Sequence, residues 1–270
     1  MENIRVALVS VNACVGEIRR NFDGMRKWIA AARQAGAVIV CFPELSITGY
    51  SIQPGIRSVA QPIPGDASRQ LGDMAVSEGI GIMAGLVELD SRDRLFATHL
   101  IALPDGRTLI YRKVHLAPPE QTFYSPGNDV PVFDAFGMTF GIQLCYDAHF
   151  PELASQMALK GAEVIFIPHA SPRGSSNQKH RSWMRHLPAR AYDNSVFILA
   201  WNLVGENGEG LTFPGLAMAI GPSGDVIASS ISDHEEKMLV VHLKADELDR
   251  VRGHRMRYFL PNRRPELYKL

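Results

Sequence analysis

Three residues whose side chains can act together in covalent catalysis stand at the predicted ends of strands: Cys145, Glu44 and Lys113. Cys145 follows the strand predicted over 138–144 and precedes Pro151, a typical first residue of a helix. At such a turn a thiol faces free backbone N–H groups, which favour the thiolate and lower its pKa below the usual ~8.5. The same groups could bind an oxyanion. The alternative is a small buried hydrophobe, as many free cysteines are.

Glu44 and Lys113 offer a base and a cation. Glu44 follows the apolar run 37–42, at the rim where α/β proteins place their sites. Partial burial there would raise the pKa of the carboxyl group and make it a usable general base. Lys113 closes the predicted strand 108–112, and its ammonium could stabilise an oxyanion or lower the pKa of a thiol. Taken singly, the two could be a capping glutamate and a solvated lysine, but their joint occurrence with the cysteine favours a catalytic site.

The other two cysteines are expected to be inert. Cys41 lies inside the apolar run 38–42, which indicates core packing, and Cys14 has no acid–base partner nearby in sequence. No pair of cysteines has the close spacing of metal ligands. Three cysteines in a chain of this length also do not make a disulfide framework. We therefore expect neither a metal site nor disulfide bonds.

The elements that must position these residues alternate along the whole chain. Short apolar runs, typical of strands buried on both faces, predict strands over 4–11, 37–42, 80–87, 138–144, 163–168 and 196–201. Helical spacing or helix-start signals predict helices around 22–32 and over 68–78, 151–160 and 179–192. A hairpin is expected over 97–112, turning at Asp105 and Gly106, and β-rich segments follow at 217–220, 226–230 and 238–243.

This alternation predicts one continuous α/β domain, 1–270, with mixed rather than purely parallel strands. No linker, low-complexity segment or short repeat interrupts it. Many apolar strands need cover on both of their faces. We therefore expect two sheets packed face to face, with the helices outside.

Bulk composition argues against several partners. Lys plus Arg and Asp plus Glu both number 28, so no global field attracts nucleic acid or anionic lipid. The opening residues lack the features of a secretory signal, and no apolar run approaches the ~20 residues of a membrane helix. We expect a cytoplasmic protein that binds neither nucleic acid nor membrane.

Three segments resemble, in sequence and in order, the signature blocks of the nitrilase superfamily. They are CFPELSITGY at 41–50, YRKVHL at 111–116, and GIQLCYD at 141–147 with FPE at 150–152. The similarity extends over the opening strand and helix and over 168–171, 189–194 and 263–268, which is nearly the whole chain. The resemblance implies a four-layer α-β-β-α sandwich. It also implies a triad with Glu44 as general base, Lys113 as electrostatic stabiliser and Cys145 as nucleophile.

The resemblance assigns two further roles. Glu120 matches a second family glutamate that positions the lysine or the substrate, although by residue type alone it is a loop carboxylate. The backbone N–H of Tyr146 falls where the family's oxyanion donor lies. A thiolate generated by Glu44 would attack the substrate carbon, ammonia or an amine would leave, and water would hydrolyse the thioester. This chemistry requires no metal and no organic cofactor.

Four side chains are candidate substrate contacts. Tyr50 and Phe123 lie in loops beside the triad's sequence blocks and are possible substrate walls. His149 stands where many family members carry arginine, and it could touch the substrate or pack locally. Arg173 could pair bidentately with a substrate carboxylate or be a surface arginine.

The expected reaction is hydrolysis of a small aliphatic amide to a carboxylic acid and ammonia or an amine. N-carbamoyl compounds are the first alternative and nitriles the second. An inactive scaffold is the alternative from another class, and retention of both glutamates, the lysine and the cysteine argues against it. The tail 252–270 includes apolar Tyr258, Phe259 and Leu260, which need cover. We expect this tail at the interface of a homodimer or larger homo-oligomer.

Overall fold

The computed structural model describes residues 1–268. In chain order the strands are β1 (Ile4–Ser10), β2 (Ile39–Cys41), β3 (Gly81–Leu89), β4 (Leu95–Ala102), β5 (Thr108–Arg112), β6 (Phe133–Ala135), β7 (Met138–Ile142), β8 (Val164–His169), β9 (Phe197–Asn202), β10 (Gly205–Glu206), β11 (Thr212–Phe213), β12 (Gly215–Ile220), β13 (Val226–Ser232) and β14 (Lys237–Leu243). The helices are α1 (Ile18–Gln34), α2 (Asp66–Glu78), α3 (Pro151–Leu159), α4 (Ser176–Trp183), α5 (Leu187–Asn194) and α6 (Ala245–Arg252). Short 3-10 helices cover Pro54–Val59, Pro118–Glu120, Cys145–His149, Leu260–Asn262 and Pro265–Leu267.

Two six-stranded sheets dominate the architecture. The first has the order β14-β1-β2-β3-β4-β5 and the second the order β13-β12-β9-β8-β7-β6. In each sheet three neighbouring strands run parallel, β1-β2-β3 and β7-β8-β9. Antiparallel strands flank them on both sides. Both sheets are therefore mixed, which confirms the prediction.

The two sheets pack face to face and carry helices on their outer faces. Successive strand residues point to opposite faces of a sheet. In β2, accordingly, Ile39 and Cys41 belong to a core shared with β7, β8 and β9, whereas Val40 packs with α1 and α2. Leu153 and Met157 of α3 cover the other sheet. The layers follow one another as α-β-β-α, so the predicted four-layer sandwich in a single domain is confirmed.

Helix α1 illustrates how the sequence pattern builds the outer layers. Phe22, Met25, Ile29 and Ala32 recur at helical spacing, and all four are buried. Burying a large apolar side chain contributes roughly 1.5–3 kcal/mol, so this face anchors the helix to the first sheet. The helix ends just before Gly36, whose φ of +73° lies in the left-handed region that glycine adopts without strain.

The single helix predicted over 179–192 is wrong. The chain forms α4 and α5 instead, separated by a turn over residues 184–186. Pro188 lies in the first turn of α5. A continuous helix would bring its ring against the carbonyl of Met184 and would lose a backbone hydrogen bond, which costs about 3 kcal/mol or more. Proline is well tolerated in a first turn, so a new helix begins there.

The sequence patterns missed α6 and the strands β6, β10 and β11. The strands are two or three residues long, too short to show a periodic pattern. Helix α6 buries only Leu248 and Val251, which leaves it with a weak apolar stripe. Within residues 1–268, no helix is both long enough and apolar enough to cross a membrane.

Candidate active site

The proposed triad is assembled from both sheets. Glu44 follows β2 and Lys113 follows β5 in the first sheet, and Cys145 follows β7 in the second. Strand β4 reverses the chain between β3 and β5. The carboxyl ends of β2 and β5 therefore lie at the same edge of the sheet. Glu44, Lys113 and Glu120 are buried there, with exposed fractions of 0%, 1% and 4%.

The ammonium of Lys113 is held between two carboxylates. Its Nζ donates to Oε1 of Glu44 at 2.8 Å and to Oε1 of Glu120 at 2.9 Å. The other oxygen of each carboxylate accepts a backbone N–H, from Ala170 at 2.9 Å and from Ala117 at 2.8 Å. Every carboxylate oxygen is thus hydrogen-bonded, which satisfies the requirement for burying charges. This network fixes the ammonium in one place.

Burial and charge give Glu44 and Lys113 different protonation behaviour. Burial raises the pKa of Glu44 to about 7, with a further rise from Glu120 that opposes the lowering by Lys113. Burial alone would lower the pKa of Lys113, but the two carboxylates outweigh it and raise the pKa well above its usual value. Lys113 therefore stays an ammonium, whereas Glu44 can gain and lose a proton near neutral pH.

Cys145 opens the 3-10 helix that follows β7, and its thiol is half-buried. Its backbone φ of +46° is uncommon for a non-glycine residue, and such conformations concentrate at functional sites. Burial raises the pKa of the thiol to about 12, with Glu44 and Glu120 adding to the rise against Lys113 and Lys179. The lowered thiol pKa predicted from the strand-to-helix turn is therefore wrong. Desolvation and two carboxylates outweigh the cations, so the resting group is the thiol.

Asp147, two residues after Cys145 in the chain, joins the two sheets. Its carboxylate accepts the hydroxyl of Tyr111 at 2.9 Å and the N–H of Leu144 at 2.9 Å. It also accepts the N–H of His115 at 2.7 Å. Tyr111 belongs to β5, so one buried carboxylate ties the strand that precedes Lys113 to the turn that carries the thiol. The sequence interpretation missed this role, although an acidic residue two positions after the cysteine was a usable signal.

The model of the carbon-nitrogen hydrolase family matches residues 5–253. The chain belongs to this family. It is 34% identical to a nitrilase from Pyrococcus abyssi, over 98% of this chain and 99% of the relative. It is 30% identical to an N-carbamoylputrescine amidase from Solanum lycopersicum, over 96% of this chain and 91% of the relative. The predicted membership of the nitrilase superfamily and the predicted enzyme class, a carbon-nitrogen hydrolase acting on non-peptide bonds, are confirmed.

The amidase of Nesterenkonia sp. AN1 is a similar solved structure. A mutant of it in complex with butyramide superposes with a TM-score of 0.85 at 28% identity, covering 99% of this chain and 96% of the amidase. Another mutant of that amidase shows covalent addition of the acetamide moiety of fluoroacetamide at its active-site cysteine. The likeness spans the whole sandwich.

Two tyrosines border the site in this carbon-nitrogen hydrolase. Tyr50 is buried and packs edge-on against Phe213, with ring centroids 6.0 Å apart. Burial raises the pKa of its hydroxyl, and the charges of Glu120 and Glu44 raise it further. Tyr124 behaves in the same way but was not predicted. Its neighbour Phe123, which was predicted, is half-buried and packs against the apolar cluster that contains Tyr50, Tyr124 and Phe213.

The other predicted substrate contacts are arranged less closely around the triad. Tyr146 is half-buried next to Cys145, and its ring lies 5.5 Å from that of His149. His149 is exposed, and its ring packs against that of His186 with the centroids 4.6 Å apart and the planes tilted by 31°, so it packs locally. Arg173 is exposed, and its backbone N–H donates to Thr212 at 2.9 Å. Neither His149 nor Arg173 has a side-chain polar contact with the triad.

A second lysine, Lys179 of α4, lies close to the site of the carbon-nitrogen hydrolase. Its charge acts on Cys145, and its Nζ donates to Oγ of Ser171 at 2.7 Å. The sequence patterns placed it only at the start of the helix predicted over 179–192 and did not indicate a role at the site. Within residues 1–268, no group of three or more His, Cys, Asp and Glu side chains is arranged to hold a metal ion.

Proposed function

We propose that the enzyme is an amidase that hydrolyses a small aliphatic amide through a thioester on Cys145. The observation that carries the proposal is the ammonium of Lys113, held 2.8 Å and 2.9 Å from two buried carboxylates beside a half-buried thiol. Burying three charges together is costly, and apolar side chains would stabilise a purely structural core at least as well. This cost argues for chemistry and against an inactive scaffold.

The first step follows from the two pKa values. A thiol with a pKa near 12 is a poor nucleophile, so its proton must leave as the carbon is attacked. Glu44, with a pKa of about 7, is in part deprotonated at neutral pH and can take it. Sγ of Cys145 then bonds to the carbonyl carbon. The negative charge that forms on oxygen is stabilised by the ammonium of Lys113 and the backbone N–H of Tyr146.

The second half of the reaction reuses Glu44. Its proton passes to the nitrogen of the tetrahedral intermediate, the C–N bond breaks, and ammonia leaves. A water molecule gives a proton to Glu44 and attacks the thioester. The carbon–sulfur bond then breaks, the thiol of Cys145 regains a proton, and the carboxylic acid is released. The water supplies the oxygen of the acid, so the atoms of amide hydrolysis balance.

Glu120 is proposed to act as a positioning residue. It accepts a hydrogen bond from the ammonium of Lys113, as Glu44 does, and its own second oxygen accepts the N–H of Ala117. Its charge also contributes to the raised pKa of Glu44. We infer that Glu120 positions the ammonium of Lys113 and helps to keep the pKa of Glu44, the general base, near 7.

The apolar surroundings support a small aliphatic substrate. Tyr50, Leu116, Tyr124, Leu203 and Phe213 form one buried cluster that also contains Ala170, the residue bonded to Glu44. Such walls suit a short hydrocarbon chain. The Nesterenkonia amidase binds butyramide, which fits this substrate size. N-carbamoyl compounds are the second candidate, because the tomato relative is an N-carbamoylputrescine amidase.

The test is a screen of purified protein for ammonia release. It compares acetamide, propionamide and butyramide with N-carbamoyl amines, N-carbamoyl amino acids and aliphatic nitriles. We expect the amides to give the highest kcat/KM, with an acyl-enzyme on Cys145 detected by mass spectrometry after rapid acid quench. Preference for an N-carbamoyl compound or a nitrile would replace the substrate class. Absence of turnover on every compound would favour the scaffold.

We also propose a cytoplasmic homo-oligomer whose interface includes the tail 252–270. The three cysteines are free thiols, which suits a reducing compartment. Of the three apolar residues on which the expectation was based, Leu260 is buried in its own chain and Tyr258 is half-buried, so neither needs a partner for cover. Met256, Leu267 and Tyr268 of the described tail are instead 75%, 63% and 58% exposed, and contact with a second copy would cover them. Residues 269 and 270 lie outside the described residues. Met256→Glu should lower the mass measured by sedimentation, and an unchanged mass would contradict the proposal.

A further inference from the structure

His99 of β4 is a fully buried histidine that the proposed mechanism does not use. Its exposed fraction is 0%, and neither Nδ1 nor Nε2 has a hydrogen-bond partner among residues 1–268. We propose that His99 is a positioning residue for the general base: its ring holds a buried water that binds the backbone N–H of Leu45, the residue after Glu44. This inference rests on the proposed amidase function, in which Glu44 is the base.

The strand register places the ring of His99 between the two sheets. His99 pairs with Gly85 of β3 on one side and with Tyr111 of β5 on the other. Side chains alternate between the faces of a strand, so His99 and Ile101 share a face. Ile101 and Tyr111 both belong to the core that the two sheets share. The imidazole of His99 therefore faces the interior, on the side of the first sheet that packs against the second.

Gly85 shows how close this ring lies to the turn that carries the base. A Cβ atom at Gly85 would lie 2.3 Å from the backbone nitrogen of Leu45, 3.2 Å from the carbonyl carbon of Glu44 and 3.1 Å from Nδ1 of His99. The nitrogens of Leu45 and His99 are therefore at most about 5.4 Å apart, the sum of 2.3 Å and 3.1 Å. Two hydrogen bonds of about 2.8–3.0 Å through one water molecule span such a separation.

The backbone at Leu45 is a place where support is needed. Its φ of +54° lies in the left-handed region, which is uncommon for a non-glycine residue and persists only where the surroundings hold it. Leu45 is 1% exposed, and its N–H has no protein partner within residues 1–268. An unpaired buried N–H costs free energy, as does an unpaired buried imidazole nitrogen. One water between Leu45 and His99 would satisfy both groups.

The protonation of His99 suits this role. Burial lowers the pKa of His99 to about 3, so the ring is neutral at neutral pH. One nitrogen of a neutral imidazole accepts a hydrogen bond and the other donates. With the proton on Nε2, Nδ1 accepts from the water, and the water accepts the N–H of Leu45. The ring adds no charge next to the turn, so it acts on Glu44 through position.

The position of Glu44 matters because its carboxylate has two fixed partners. It accepts from Nζ of Lys113 at 2.8 Å and from the N–H of Ala170 at 2.9 Å. Misplacement of a catalytic group by about 1 Å can lower a rate by about 100-fold. Glu44 acts in proton transfer and not in holding the substrate. Loosening the turn at Leu45 should therefore lower kcat and leave KM unchanged.

The experiment compares His99→Gln with His99→Met, two side chains of similar length of which only glutamine can bind the water. On the best substrate of the amide screen, His99→Met should lower kcat by about 10- to 100-fold with KM unchanged. His99→Gln should recover most of that loss. The urea midpoint of His99→Met should be no lower than that of His99→Gln, because methionine buries no polar group. His242→Met, at an exposed position on β14, is the control and should leave kcat unchanged.

A role in packing alone predicts a different result. Equal kcat values in His99→Gln and His99→Met would overturn the inference while the amidase function stands. A crystal structure of the wild type provides a readout that does not depend on turnover. We expect a water within hydrogen-bonding distance of Nδ1 of His99 and of the N–H of Leu45, and a dry contact between them would overturn the inference. If no compound is hydrolysed, the proposed function fails, and the water alone then decides whether His99 supports the turn.

Discussion

The two sheets of the sandwich share a strand plan but differ in the groups at their strand ends. Each has three parallel strands with antiparallel strands on both sides, so β1 corresponds to β7 and β2 to β8. The first sheet contributes the ionised groups, Glu44 after β2 and Lys113 after β5. The second contributes the thiol of Cys145 after β7 and, after β8, the N–H of Ala170 that binds Glu44.

Cys14 makes the difference instructive. It follows β1 as Cys145 follows β7, and both thiols are half-buried. The thiol of Cys14 lies 3.3 Å from the side-chain oxygen of Asn12, whereas the charges of Glu44, Glu120 and Lys113 act on the thiol of Cys145. The same exit from a parallel strand therefore leads to a thiol that we expect to be inert in one half and to a proposed nucleophile in the other. The partners across the sheets, and not the strand end alone, distinguish the two.

The largest expected effect separates the two cysteines. Cys145→Ala should lower ammonia release by at least about 10⁴-fold, because the covalent route is lost. Cys14→Ala is the matched control in the other half and should change kcat/KM by less than about twofold. Cys14 is half-buried and is not one of the proposed catalytic residues, and such substitutions usually have small effects. Equal activity of Cys145→Ala and wild type would eliminate the thioester mechanism.

The charge network of the first sheet is tested by Lys113→Met. Two buried carboxylates would then face each other without a cation, which should destabilise the fold by about 3–5 kcal/mol. Ammonia release should also fall by at least about 10²-fold, because the oxyanion loses a stabilising charge. Urea unfolding and the amide assay measure the two effects. A fully active, equally stable variant would show that the buried ammonium is dispensable.

The pH dependence sharpens the same comparison. Glu44 must be deprotonated to accept the thiol proton, so kcat/KM should rise with pH through about 7. Because Glu120 raises the pKa of Glu44, Glu120→Gln should move this acidic limb to lower pH. It should also reduce kcat by about 10- to 100-fold through misplacement of Lys113. If the acidic limb of the kcat/KM profile lies at the same pH in Glu120→Gln as in the wild type, Glu120 does not raise the pKa of Glu44.

The smallest expected effect concerns the link between the sheets. Asp147→Asn keeps the shape of the side chain but weakens its bonds to Tyr111, Leu144 and His115. We expect a loss of about 1–3 kcal/mol in the free energy of unfolding, as for a buried charged hydrogen-bonding group. Thermal melting measures it, with Asp129→Asn at an exposed position as the control. Identical melting curves would mean that Asp147 does not couple the sheets.

Much of the site was predictable because its residues stand at the ends of periodic segments. Apolar runs located β2 and β7, and the types of residue that follow them indicated a base and a nucleophile. Family resemblance added Glu120, which residue type alone would have left as a loop carboxylate. The role of Asp147 could not be assigned in this way, because it depends on a contact with Tyr111, which is 36 residues away in the chain.

The sequence by itself determined the alternating elements, the sandwich of two mixed sheets and the identities of Glu44, Lys113 and Cys145. The elements follow from local periodicity and residue types, whereas the four-layer sandwich and the roles of the three residues are what the resemblance to the nitrilase superfamily implies. Only the tertiary structure decided the protonation of the site. The strand-to-helix turn predicted a lowered thiol pKa, but burial and two carboxylates of the other sheet raise it to about 12. Desolvation and charge act through space, between groups that can be far apart in the chain. Glu44 and Lys113, for example, are hydrogen-bonded although 69 positions separate them in the sequence.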